Sequence, residues 1–369
     1  MKFSISREAL IKPLNLVAGV VERRQTLPIL ANVQLVLEGS QLSLTGTDLE
    51  VELIGRVAVD PDGKLEAGEI TVPAKKLVDI CKALPESALV EISQNDQKLI
   101  LKSGRSRFQL ATLPANDFPS IEQGHGGQRL TVKQGDLKRL IDKTSFAMAQ
   151  QDVRYYLNGM LFEVDAETLR VVATDGHRLA LASLVGDFSE SSAAQVILPR
   201  KGVIELSRLL ISENESVELY IGNNHIRVVT SEFTFTSKLI DGKFPDYQRV
   251  LPRGSNKTVL GARADLKQAF ARTAILSNEK YRGIRLVLSS GSLQIVANNP
   301  EQEEAEETVG VDYEGDRLEI GFNVSYLLDV LSALSGETVK FSLSDSNSSA
   351  LVEEAESSDC QYVVMPMRL

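Results

Sequence analysis

The chain repeats itself at domain scale, and that repeat limits what it can fold into. Equivalent points recur at nearly even spacing: Leu113 to Leu239 is 126 positions, Leu239 to Met365 is 126, Thr71 to Ile197 is 126 and Ile197 to Ile320 is 123. Chance rarely matches helix, strand and turn signals together at such a period. Each third opens with a short strand that leads into an amphipathic helix. These pairs are Phe3–Ile5 before Ser6–Ala18, Leu130–Val132 before Asp136–Ala149, and Thr258–Leu260 before Arg263–Leu276. Apolar residues three and four apart, such as Leu10, Leu14 and Val17, give each helix one apolar stripe. Pro13 sits inside the first helix and is expected to kink it.

Alternating strands follow each helix, and a second half-unit then repeats the plan. Ile70–Pro73 leads into Ala74–Leu84, Val196–Pro199 into Arg200–Ile211, and Ile320–Asn323 into Val324–Leu334. The first two thirds also share a tail, Leu113–Pro119 and Leu239–Pro245, each ending in Phe-Pro. Gly-rich or Pro-containing stretches at Gly124–Gly127 and Leu251–Gly254 mark boundaries, so domains are expected at 1–127, 128–253 and 254–369. The fold class expected is α+β, each domain holding two helices against antiparallel sheets.

One turn stands out. Val171–Leu181 is a strand, a tight turn and a second strand, with Asp175-Gly176 expected to form a two-residue type I′ turn. Asp175 with His177 is a candidate general acid–base pair, although no nucleophile or metal triad accompanies it. No phosphate-loop, dinucleotide or nucleophile-elbow motif is present. The two cysteines, Cys81 and Cys360, lie far apart in no metal spacing, which fits a reducing cytosol. The N-terminus lacks the apolar core of a signal peptide, and no run of about 18 apolar residues would span a membrane. No cofactor and no metal are expected. The run Glu301–Glu307 lacks a fixed ligand geometry and is expected to be a solvated or partner-facing acidic surface.

Charge is unevenly distributed. The six helix windows carry fourteen basic and seven acidic side chains, a net +7, so with −10 for the whole chain the remainder carries −17. Helices gathered on one side would offer a polyanion an attractive surface while the rest repels it; Lys and Arg on solvated helix faces account for the same count.

Seven stretches together resemble one family: Thr26–Leu30, Leu42–Leu49, Ser103–Phe108, Gln151–Met160, Ala173–Leu179, Asn298–Glu304 and Met365–Leu369. The chain is similar over essentially all its length to the bacterial sliding clamps, the β subunits of DNA polymerase III. That resemblance implies three clamp-type domains in a head-to-tail homodimeric ring around double-stranded DNA. It implies a non-enzymatic processivity factor in the cytoplasm that tethers the replicative polymerase catalytic subunit. Its other implied partners are an ATP-dependent clamp loader, other DNA polymerases, ligase and mismatch-repair proteins, bound through short peptides.

Residue by residue, the resemblance implies DNA contacts at Arg24 and Gln151, with Arg200 and Lys201 as further candidates. It implies a peptide pocket of Leu157, Thr174, Gly176, His177, Arg178, Leu179, Pro245, Arg249, Val250, Asn323, Tyr326, Ser346, Met365, Pro366, Met367 and Arg368. Asn347 stands where an apolar residue is common. The implied dimer interface sets Lys76, Arg105, Arg107, Phe108 and Leu110 against Ile275, Leu276, Glu301, Glu303 and Glu304.

Overall fold

The computed structural model describes residues 1–21, 27–61, 63–121, 127–189 and 192–368. The first third contains β1 (Lys2–Ser6), α1 (Arg7–Ala18), β2 (Asn32–Glu38), β3 (Gln41–Thr47), β4 (Val51–Ala58), β5 (Gly68–Pro73), α2 (Ala74–Ala83), β6 (Leu89–Asn95), β7 (Lys98–Ser103) and β8 (Ser106–Ala111). The second contains β9 (Gln128–Lys133), α3 (Gln134–Thr144), β10 (Gly159–Val164), β11 (Thr168–Thr174), β12 (Arg178–Val185), β13 (Ala194–Pro199), α4 (Arg200–Leu209), β14 (Ser216–Ile221), β15 (His225–Val229) and β16 (Phe233–Lys238). The third contains β17 (Lys257–Ala262), α5 (Arg263–Thr273), β18 (Gly283–Ser289), β19 (Ser292–Asn298), β20 (Glu304–Gly310), β21 (Leu318–Asn323), α6 (Val324–Ala333), β22 (Thr338–Leu343), β23 (Ala350–Glu354) and β24 (Cys360–Val364).

The chain forms two compact units, Met1–Gly135 with Ile204–Leu239, and Asp136–Val203 with Ile240–Leu369. In the first, a four-stranded sheet runs β1-β6-β7-β8 and an eight-stranded sheet runs β5-β2-β3-β4-β16-β15-β14-β9. In the second, an eight-stranded sheet runs β13-β10-β11-β12-β24-β23-β22-β17 and a four-stranded sheet runs β20-β19-β18-β21. Each eight-stranded sheet therefore crosses a repeat boundary, through β4 on β16 and β12 on β24, both antiparallel.

Helix α1 shows how sequence becomes packing. The Ser6 side chain accepts the Ala9 N–H and caps its start, and Leu10, Pro13, Leu14 and Val17 are buried. Burying one such aliphatic side chain contributes roughly 1.5–3 kcal/mol. The helix continues through Pro13, and β4 meets the Pro13 ring at Gly55, where a Cβ would lie 3.0 Å from Pro13 Cβ.

Candidate functional site

The turn after β11 is built by side chains. Its last cross-strand pair is Thr174 with Leu179, so four residues intervene rather than the two of a type I′ turn. Asp175 Oδ1 accepts the N–H groups of His177 (2.9 Å) and Arg178 (3.0 Å). Thr174 Oγ1 accepts the Gly176 N–H at 3.1 Å and donates to the Arg178 carbonyl at 2.6 Å. These local bonds favour the wider loop over the tight turn. Gly176 has φ +87°, and a Cβ there would lie 2.9 Å from the Arg154 guanidinium.

Arg178 ties this loop to its surroundings. It donates from Nε to Asp175 Oδ2 at 3.1 Å, from Nη2 to the Phe146 carbonyl at 2.8 Å and from Nη1 to Asp329 on α6. Its guanidinium lies 4.5 Å from the Tyr326 ring centre and 5.2 Å from that of Phe146. The His177 ring stacks on Tyr326 at 6.5 Å and 20°. Burial pushes the Tyr326 phenol above its ordinary range, and the nearby Asp175 adds to this. Asp175 is thus committed to the loop backbone and to Arg178, which argues against it as a partner for His177 in acid–base chemistry.

Beside the loop lies a cleft of about 160 Å³, entirely within the second unit. Eight expected residues line it: Leu157, Thr174, Gly176, Arg178, Leu179, Pro245, Val250 and Met365. Leu157 and Leu179 are buried, whereas Val250 and Met365 are 37% and 42% exposed, so the slot has an apolar floor and an open apolar mouth. Four further lining residues, Arg154, Tyr156, Tyr247 and Val363, stand outside the expected set. Arg154 and Tyr156 lie in the Gln151–Met160 stretch, where a Tyr pair beside Asp152-Val153-Arg154 was the available signal. Arg154 donates to both oxygens of Asp152 (3.0 and 2.9 Å), and that bond holds the Asp152 carboxyl down at about 2.

Tyr247 opens a one-turn 3-10 helix, Tyr247–Arg249, that forms another wall. Its hydroxyl donates to buried Glu163 at 2.8 Å, and Glu163 also accepts from Arg170 (2.9 Å) and Gln195. Burial and then the Glu163 bond push the Tyr247 phenol up to about 12. The buried carboxylate thus fixes a pocket wall from behind, with its oxygens satisfied by three donors.

The remaining expected pocket residues lie outside this lining. His177 and Tyr326 form the adjoining stack. Asn323 caps α6 by accepting the Ser325 N–H, and Met367 N–H donates to the Gly321 carbonyl at 2.8 Å. Arg249 is exposed and paired with Asp246, Ser346 is exposed between β22 and β23, and Pro366 and Arg368 follow β24.

Of the expected DNA contacts, Arg24 lies outside the described residues. Gln151 is exposed with φ +56°, and Arg200 and Lys201 begin α4. Of the expected interface residues, Lys76 is exposed on α2 and Arg105 in the turn before β8. On β8, Arg107 is exposed, Phe108 half-buried and Leu110 buried. Ile275 is 74% exposed and Leu276 half-buried, while Glu301, Glu303 and Glu304 are exposed where the chain enters β20. The acidic run is partly a strand: Glu306 accepts from Gln294, and Glu307 pairs with Arg272 through both oxygens. Among the described residues no cluster of His, Cys, Asp and Glu could hold a metal ion, and no helix is long and apolar enough to cross a membrane.

Three copies of one α+β unit, joined by strand pairing and bearing an apolar cleft, define the class: a three-domain clamp. Models of the DNA polymerase III beta subunit match the N-terminal domain over residues 1–122, the central domain over 131–246 and the C-terminal domain over 248–368. The beta sliding clamp of Pseudomonas aeruginosa is 66% identical over 369 residues, with all of both chains covered. A crystal structure of the DNA polymerase III subunit beta from that organism superposes with a TM-score of 0.98 at 66% identity, covering 100% of both chains. Another, of the P. aeruginosa sliding clamp bound to griselimycin, gives 0.97 at 66% identity, again with full coverage of both. The chain belongs to the DNA polymerase III beta subunit family, the beta sliding clamps.

Proposed function

We propose that two copies of this chain close head to tail into a ring around duplex DNA and hold the replicative polymerase there. The pattern of sheet edges carries this reading. The third strand of one half-sheet pairs with the last strand of the next third at β4 on β16 and at β12 on β24. The counterparts left over are β20 and β8, and each ends its own four-stranded sheet. Pairing β8 of one copy with β20 of another repeats the same join a third time and closes a two-fold assembly.

The basic balance of the helix windows supports weak, sequence-independent attraction to phosphates, to which Arg24, Gln151, Arg200 and Lys201 would contribute. Retention is then topological, and tight binding would hinder sliding. The cleft suits an extended peptide that presents spaced Leu or Phe side chains, with Met365 as an adaptable contact. Tails of the polymerase catalytic subunit, an ATP-dependent loader, other DNA polymerases, ligase and mismatch-repair proteins are the partners this implies. The protein itself performs no catalysis and works in the cytoplasm.

The test is retention on two DNA topologies. Protein is loaded onto nicked circular DNA with a clamp loader and ATP, free protein is removed, and the circle is cut once. Retention on circles with loss from cut ends is expected. Equal loss from both, or equal retention on both, would replace the ring by a protein-binding scaffold or an ordinary DNA binder.

A further inference from the structure

The loop that shapes the cleft is built a second time in the first unit. Thr47 pairs with Glu52 across β3 and β4 as Thr174 pairs with Leu179 across β11 and β12. Thr47 Oγ1 accepts the Leu49 N–H at 3.1 Å and donates to the Val51 carbonyl at 2.9 Å, which repeats the bonds of Thr174. Asp48 Oδ1 accepts the N–H groups of Glu50 and Val51, as Asp175 Oδ1 does for His177 and Arg178. Leu49 even keeps the positive φ of Gly176, +78° against +87°. The Lys238 N–H donates to the Glu50 carbonyl as Met365 N–H does to His177.

The frames match but the side chains do not. Where the cleft has Leu179, its cross-strand partner Val363 and then Met365, the first join has Glu52, its partner Thr236 and then Lys238. Glu52 is 6% exposed, and its Oε2 accepts the Ile121 N–H at 2.9 Å. Ile121 stands two residues after Pro119 as Tyr247 stands two after Pro245, and Ile121 and Phe118 are both buried. Burial raises the Glu52 carboxyl above its usual range, countered in part by the Ile121 N–H and by Arg227. A buried carboxylate is costly at a position where the central copy carries the buried Leu179, and that cost points to a role for Glu52 in discrimination.

We infer that the first join is the same docking frame closed by Glu52, which holds the Phe118–Ile121 segment down and confines peptide binding to one site per chain. This rests on the peptide-docking reading of the cleft. The test is calorimetric titration of the full-length protein with a short extended peptide carrying Leu and Phe side chains. Wild type should bind one peptide per chain, and Glu52→Gln, which keeps an acceptor for Ile121, should do the same. Glu52→Leu should bind two, the second at least tenfold more weakly. A cooperatively folded Glu52→Leu protein that still binds one overturns the inference. Hydrogen exchange on wild type gives a second check that needs no variant: the Ile121 amide should be at least tenfold more protected than that of Tyr247. Equal protection would overturn it too. A wild type that binds no peptide would refute the reading of the cleft itself and this inference with it.

Discussion

At the scale of single residues, Arg178 shows how a side chain can line a cleft while its donors point elsewhere. The family resemblance assigns it to the peptide pocket, and it does line the cleft. Its guanidinium, however, is engaged by Asp175, Asp329 and the Phe146 carbonyl, and is flanked by the rings of Tyr326 and Phe146. Its work is therefore to lock the 175–178 loop to α6. Lysine keeps the charge, but its three donors sit on one nitrogen and cannot span acceptors that Arg178 reaches from Nε, Nη1 and Nη2. Arg178→Lys should cost about 1–3 kcal/mol, since hydrogen bonds of charged groups contribute about that much and Asp329 is half exposed. Chemical denaturation would measure it, and a stability change under about 0.5 kcal/mol, the usual range for a neutral surface substitution, would deny Arg178 this locking role.

At the scale of elements, the three copies differ where a helix meets its sheet. Register places Gly46 and Ala173 at equivalent positions, each one residue before the loop-forming threonine. A Cβ on Gly46 would lie 2.7 Å from Val17 Cγ1 and 2.9 Å from the Val17 carbonyl oxygen, so α1 approaches β3 too closely for alanine. Replacing glycine normally gains roughly 0.4–1 kcal/mol through the unfolded chain. The clash with a backbone atom outweighs that gain, so Gly46→Ala should destabilise by about 1–3 kcal/mol in thermal or denaturant unfolding. An unchanged or raised melting temperature would refute this account of the helix–sheet contact. The same scale shows what the sequence could reveal. Alternation and apolar stripes located the helices and most strands, because Leu, Ile and Val at regular spacing leave few other ways to bury them. Strand β20 lies partly in the run that reads as an acidic surface, because Glu304-Ala-Glu-Glu has low strand propensity and its conformation comes from the ladder with β19. The cleft was half legible: its floor lies on readable strands, but Tyr247 reaches it through a one-turn helix anchored by the distant Glu163.

At the scale of the whole molecule, β8 and β20, the two counterparts of the joining strands, make a prediction about assembly. In a head-to-tail dimer each copy presents β8 to the partner's β20, so each interface would set the Arg105 and Arg107 end of one copy against Glu301, Glu303 and Glu304 of the other. Exposed ion pairs are worth about 0.2–1 kcal/mol each, so reversing two charges against three should weaken association by roughly a hundredfold. Arg105→Glu with Arg107→Glu should therefore sediment as monomer at concentrations where wild type is dimer, and added salt should lessen the difference. Changing Glu301, Glu303 and Glu304 together to Lys should do the same from the other side. The head-to-tail geometry makes a sharper claim about the mixture. Combining the two variants sets reversed edge against reversed edge at one interface and native edge against native edge at the other, so a full heterodimer should form from two monomeric proteins. Dimers that persist in either variant alone would show that these charges do not govern the interface. Monomers that mixing fails to rescue would show that β8 and β20 are not partners.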